Sequence, residues 1–344
     1  LRTRNIVLIF IGALIVGGGL GFVITGFATS GAIAESFTFN HQAASPSSVE
    51  QVVVSADIGK IVIKYNSTPT PYFIHVDADI KVSGLFMAGK KYTNFFSPST
   101  GWWQNSSGQV TFSLEARPDI WFDPSHWFKN YNITITVTLR TDIIYYLDAI
   151  ATTGSINAQI PDNVKLDSFF LSTTTGSINA DINAANLTKG FTFITTTGTL
   201  TTDLMNTTIG DDMTAVVDTG SINFLANNLE YTKDIAWDLS TNTGSIDITL
   251  NQNKPMGANI TGYIETDTGG IDFIYSDNQA VVGAIFTSDI TTGSFNYVNS
   301  GGFETLPSPN DDIFRSLDYL SATNKYMFDL VTTTGGIDVD GQSS

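Results

Sequence analysis

Large apolar and polar residues alternate with period two on both sides of a recurring glycine in the second half of this chain. Two positions after that glycine stand Ile156, Ile178, Leu200, Ile222, Ile246, Ile271, Phe295 and Ile337. Four positions after it stand Ala158, Ala180, Thr202, Phe224, Ile248, Phe273, Tyr297 and Val339. The column between them is polar: Asn157, Asn179, Thr201, Asn223, Asp247, Asp272, Asn296 and Asp338. Seven and five positions before the glycine the residues are again mostly large and apolar, from Leu147 and Ala149 to Phe328 and Leu330. Alternation of this kind marks strands with one buried face. Each unit therefore reads as strand, glycine corner, strand and return loop.

The corner is a phrase repeated eight times, from Thr153-Gly154-Ser155-Ile156 to Thr334-Gly335-Gly336-Ile337. Its glycines are spaced 22, 22, 22, 24, 25, 24 and 42 residues apart. A fixed period of this length signals stacked structural repeats. Helical repeats compete on period but not on composition, because Thr, Ile, Phe, Asn and Gly favour strands and turns. The expectation is an all-β fold: a single-stranded β-solenoid of about eight coils of 22–25 residues over 149–344. At ~4.8 Å per strand, eight coils would make a rod of roughly 40 Å. The Thr before each Gly would line one edge, as a good strand former near a corner or as a ligand-binding ladder.

Residues 51–148 alternate too, at Ile74, Val76, Ala78, Ile80 and Val82 and again at Ile133, Ile135, Val137 and Leu139. Ile58-Gly59-Lys60-Ile61 reads as a degenerate early corner. This region is expected to be a β-rich N-terminal cap with long hairpins, blunting the exposed end of the array. The long last interval places an insertion at 299–325. Ser300-Gly301-Gly302 and Pro307-Ser308-Pro309 should break strands there, and 311–320 is compatible with one short helix.

Residues 6–34 carry no charge, and Ile6 to Phe27 are mainly apolar. About 20 apolar residues suffice to cross a bilayer as a helix. Segment 1–34 is therefore expected to be one transmembrane helix, followed by a linker at 35–50. Arg2 and Arg4 would keep the N-terminus cytoplasmic and the remainder outside. The alternative is a secreted protein released by signal cleavage after the small-x-small triplet Ala32-Ile33-Ala34.

The formal net charge of −17 is unevenly placed, because residues 151–344 hold 6 basic and 23 acidic residues. That surface is unsuited to nucleic acid, whose phosphates need a basic face. There is no Cys, and His41, His75 and His126 are far apart in sequence. No catalytic, cofactor-binding or metal-binding residues are assigned, and no cofactor is implied. Asp247 and Asp272 occupy equivalent columns, but two carboxylates do not make a calcium cage. Six sequons, at Asn66, Asn105, Asn132, Asn186, Asn206 and Asn259, are candidate glycosylation sites. Trp102, Trp103, Trp121 and Trp127 stand in aromatic loops. They would supply a contact surface for glycans or other partners, or else pack over the end of the array.

Tandem strands with Thr-Thr-Gly-Ser-Ile corners behind one N-terminal apolar segment resemble the putative-adhesin family of β-strand repeat proteins. The resemblance covers residues 50–342. It implies a β-solenoid on the cell envelope and carries no catalytic residues. Three functions compete. The first is a non-enzymatic, membrane-anchored surface protein for adhesion or display, with envelope glycans or its own copies as partners. The second is a subunit of an extracellular filament or surface lattice. The third, a glycan-active enzyme, would need clustered carboxylates in a groove.

Overall fold

A computed structural model describes residues 30–42, 48–67, 71–106, 108–117, 129–277, 282–306 and 312–343. The first part holds β1 (Gly31–His41), β2 (Glu50–Ile58), β3 (Lys60–Asn66), β4 (Ile74–Gly84), β5 (Trp103–Ser106), β6 (Gln109–Leu114) and β7 (Lys129–Arg140). The repeats begin with β8 (Tyr145–Ile160), β9 (Lys165–Asn183), β10 (Asn186–Leu187), β11 (Phe191–Met205), β12 (Thr208–Ile209) and β13 (Met213–Asn227). They continue with β14 (Glu230–Tyr231), β15 (Ile235–Thr243), β16 (Ile246–Gln252), β17 (Ile260–Thr268) and β18 (Ile271–Asp277). The chain closes with β19 (Val282–Gly301), β20 (Phe303–Leu306), β21 (Asp312–Ser316) and β22 (Asn324–Ser343).

The apolar columns are the core. Ile156, Ile178, Leu200, Ile222, Ile246, Ile271 and Ile337 are all fully buried. Neighbouring repeats pair in parallel and in register, Gly154 beside Gly176, Gly176 beside Gly198 and Gly198 beside Gly220. In β8, β9, β11 and β13 the strand runs unbroken through the glycine.

The glycines are obligatory for a steric reason. Their φ angles lie between 137° and 157° from Gly154 to Gly335. A Cβ on any of them would stand 1.5–1.8 Å from the carbonyl oxygen of the preceding glycine in the stack. Four of the buried threonines three positions earlier, Thr173, Thr241, Thr266 and Thr332, donate to those same carbonyls. Thr241 Oγ1 lies 3.2 Å from Gly220 O, and Thr266 Oγ1 lies 3.1 Å from Gly244 O.

A second column turns the chain at the return loops. Asn163, Ala184, Asn206 and Asn228 have φ of 63°, 46°, 49° and 50°. Asn tolerates this left-handed region better than other residues with a Cβ. Ala184 sits there without that advantage.

The expected fold class is corrected in three respects. First, the repeats are not coils stacked in chain order. β17 and β18 pair with β22, and β22 pairs with β19, so the last repeat is intercalated between the sixth and the seventh. Likewise β2 and β3 are flanked by β8 on one side and by β6 and β7 on the other. Second, β13, β15, β17, β22, β18 and β16 close a ring of six parallel strands, a barrel in place of a single-stranded solenoid. β13 and β22 each span both limbs of that ring, because they do not break at their glycines. Third, no helix among the described residues is long and apolar enough to cross a membrane. Residues 1–29, which hold most of the expected span, lie outside the described residues. Residues 31–34, given to that helix in the sequence reading, belong instead to β1, which pairs antiparallel with β4.

The short helix expected at 311–320 is not formed either. Asp312–Ser316 is a strand, pairing antiparallel with β19 and β20, and a turn follows. Phe314 in that strand is fully buried. An alternating Ile-Phe-Arg-Ser segment gains more by closing the end of the core than by forming one turn of helix.

Intercalation also explains the one glycine among the aromatic residues of the column seven positions before the corner. Gly262 lies in register between Trp237 and Phe328. A Cβ there would meet the Phe328 ring at 2.2 Å. The gap lets the Trp237 and Phe328 rings approach to 5.6 Å between centroids.

Three substitutions test this account by chemical denaturation. Gly198→Ala should cost more than about 4 kcal/mol, because backbone must move to admit the methyl group. Gly101→Ala, where a Cβ meets nothing within 4 Å, should be close to neutral. Ala184→Gly should stabilise the fold by about 0.5–1 kcal/mol, by relieving a left-handed alanine. A destabilised Ala184→Gly variant would contradict the strain.

Candidate functional site

The corner threonines form a row on the outside of the molecule. Thr153, Thr175, Thr197, Thr219, Thr243, Thr268, Thr334 and Thr292 are register neighbours in that order, and all are exposed. Their neighbours one position earlier are exposed too, as Thr152, Thr174, Thr196, Asp218, Asn242, Asp267, Thr333 and Thr291. At about 4.8 Å per strand, the row presents one hydroxyl per repeat at constant spacing.

A parallel row follows the corner. Asn157, Asn179, Thr201, Asn223, Asp247, Asp272, Asp338 and Asn296 are register neighbours on its far side. Polar side chains bond along this face: Asn296 Nδ2 donates to Asp338 Oδ1 at 2.8 Å, and Asn251 Nδ2 to Asn227 Oδ1 at 2.8 Å. Asp247 and Asp272 are neighbours in this row. Intercalation adds Asp338 beside Asp272, so three carboxylates stand in consecutive strands. They do not form a coordinating cluster, and no group of three or more metal-capable side chains is found among the described residues.

This crowding has an electrostatic cost. Loss of hydration between neighbours, and then the charges of Asp247 and Asp338, push the Asp272 carboxyl above the usual carboxylate range. The side chain still meets solvent, so the effect is screened.

The aromatic candidates lie elsewhere. Trp102 is 1% exposed and packs inside the N-terminal end of the core. Its Nε1–H donates to Ser97 O at 2.9 Å, and its ring meets Phe37 edge-on at 5.0 Å. Trp103 is half-buried and stacks on Phe39 at 5.6 Å. Trp102 is therefore part of the end closure and unavailable as a contact surface, and Trp103 packs against that closure with one part still exposed. Burying an indole with its N–H satisfied is the ordinary outcome where β1 supplies apolar partners. Trp121 and Trp127 lie outside the described residues, as does His126.

The two remaining histidines stand on paired strands. His41 is buried with its Nε2 3.6 Å from Glu50 Oε2, and His75 Nε2 lies 2.9 Å from Asp77 Oδ2. Of the sequon asparagines, Asn105, Asn132 and Asn206 are exposed, whereas Asn66, Asn186 and Asn259 are half-buried. Asn259 Oδ1 accepts the Lys325 backbone N–H at 3.0 Å, so it is engaged in the fold.

The raised Asp272 carboxyl fixes a sign. The folded state holds that proton more tightly than the unfolded chain, so ionisation costs stability above the folded value. Stability therefore rises as pH falls through that value towards the unfolded one. Asp272→Asn should raise the melting midpoint at pH 7, and the advantage should shrink as pH falls to about 4. Thermal melts across pH check this; an advantage that grows on acidification would refute the assignment.

No protein-family model matches this chain, and no curated protein matches it. Among solved structures it is similar to a protein of Clostridium sporogenes described as a "putative cell adhesion protein". That similarity covers 90% of this chain and 100% of the other, at 13% identity and a TM-score of 0.30. It is also similar to a "putative adhesin" of Bacteroides fragilis, over 90% of this chain and 97% of that one, at 13% identity and a TM-score of 0.39. Neither likeness is close enough to carry an argument about function.

Proposed function

We propose that this chain is a non-enzymatic cell-surface protein for adhesion or display. The observation that supports it is the pair of exposed polar rows. Eight repeats present the same corner Thr to solvent at one strand spacing, and beyond the corner a second row of Asn, Asp or Thr is exposed at Asn179, Asp272, Asp338 and Asn296 and half-buried elsewhere. Such an array binds weakly at each step and tightly in sum, because successive contacts are made at high effective concentration. The surface carries the acidic excess, which keeps a repetitive β surface soluble and apart from its neighbours. In this reading the apolar segment 6–27 anchors the chain in the cell membrane with the repeats outside. Asn105, Asn132 and Asn206 are the sequons best placed for glycosylation.

A filament or lattice subunit is the second reading, and one observation favours it. Beyond Ser288, where the pairing with β21 ends, β19 pairs among the described residues only with β22. Its outer edge over 290–300 carries no charge and no proline. Undefended edges of that kind accept further strands.

The test is binding of the full chain to whole cells and isolated envelopes, alongside a variant lacking Ser221–Gly244. That deletion joins Gly220 to Ser245 and removes one repeat in register. A folded variant should bind severalfold more weakly, since it loses one step of the array. No binding by the full chain would sink the adhesion reading, and ordered polymers by electron microscopy would favour the second.

A further inference from the structure

A groove of about 530 Å³ opens on the outward face where β3 meets the first repeats. Lys64, Tyr65, Gln159, Asp181, Asn183 and Asp203 line it. Gln159, Asp181 and Asp203 are register neighbours on β8, β9 and β11, so they stand in one row at strand spacing. A second hollow adjoins it along the same strands. The two share Gln159, Asp181 and Asp203, and the second adds Asn157, Asn179 and Thr201. Together they make an elongated trough that runs across strands, unlike a closed pocket for one small molecule.

Two wall groups lack partners. The Tyr65 hydroxyl and Asp203 Oδ1 are shielded from bulk water and bond to nothing in the protein. Shielded polar atoms without partners are costly and rare in folded proteins. The Tyr65 ring is held edge-on against Tyr145, with centroids 6.3 Å apart. Asn183 is oriented by its bond to Asp162, at 2.9 Å. Burial, and then the charge of Asp181, raises the Asp203 carboxyl, which makes a neutral hydroxyl a welcome neighbour there.

We propose that this trough is a binding site for an uncharged oligosaccharide. The inference rests on the adhesion reading and names the ligand class of one part of that surface. The donor set selects the class. Carboxylates and amide oxygens accept sugar O–H groups, while Lys64 and the Gln159 amide donate to sugar oxygens. The acidic majority repels anionic glycans and nucleic acid. A single row of acids without further ligands holds no cation cage. A chain of sugars laid across the strands meets an equivalent polar position at each strand.

The experiment uses the full chain on an array of neutral oligosaccharides, namely cello-, manno- and chito-oligomers, with calorimetry on any that bind. At least one neutral series should bind. Asp203→Asn and Gln159→Ala should each weaken it by about tenfold, as expected when a polar partner is lost from a site. Thr249→Ala, in the same column but outside the trough, should leave binding unchanged. Melting curves establish that each variant is folded. The proposal is overturned by absence of binding to every neutral series, or by full binding in the folded Asp203→Asn/Gln159→Ala double variant. It is equally overturned by preference for a lysine-rich peptide, or by shortening of the oligosaccharide, which would make Asp181 and Asp203 a hydrolytic pair. Whole-cell binding that survives the double variant removes the trough and leaves the adhesion reading standing. Absence of whole-cell binding by the unaltered chain removes the adhesion reading itself.

Discussion

One steric contact governs this molecule: a glycine Cα packed against the carbonyl oxygen of the glycine beneath it. With 1.5–1.8 Å between that oxygen and any added Cβ, no other residue fits. The contact fixes lateral register, because a slip of one residue would drive a side chain into the carbonyl. It also fixes the alternation around it, placing Ile two positions on inside and Asn or Asp between them outside. Thr173, Thr241, Thr266 and Thr332 reinforce four of the same carbonyls, so in those repeats one oxygen serves both sterics and hydrogen bonding. The exposed rows proposed for binding are a by-product of this register.

That spine was legible in the sequence because each feature recurs. The apolar columns and the corners are found where the period places them, and the early copy at Gly59 stands beside Gly154 as its local residues suggest. The strand order was not legible. Phe286 and Phe328 are interchangeable in their column, so nothing local says which lies beside Gly262. The 42-residue interval marks an insertion but not where the chain resumes. A partial signal lay three positions before the corner. Thr332 can donate to the carbonyl below it, at 3.4 Å from Gly269 O, whereas Ile290 cannot. Since Ala151 and Val217 also interrupt that column, the signal is too weak to order the strands alone.

The candidate surface was legible only in part. The invariant threonine was visible as a column, and its exposure follows from the corner geometry. Trp102 and Trp103 illustrate the opposite case. Aromatics clustered in loops have the same composition whether they wait for a partner or fill the core, and only the position of β1 decides. The trough could not be read at all, since it joins Lys64 and Tyr65 of the irregular N-terminal part to three repeats. The left-handed asparagines at 163, 206 and 228 were readable in principle, being about two periods and one period apart and of the residue type that favours such φ.

Intercalation at both ends has a mechanical consequence. In a simple stack the terminal repeat has one neighbour and peels away first. Here β22 and the pair β2–β3 are each gripped on both flanks. The outermost strand, β19, belongs to the chain's interior sequence and is held at both of its ends by covalent continuity. A pull on β22 therefore loads two parallel ladders in shear at once, and neither can unzip one bond at a time. The last strand in sequence order among the described residues is thus held by two ladders, where the terminal repeat of a simple stack is held by one.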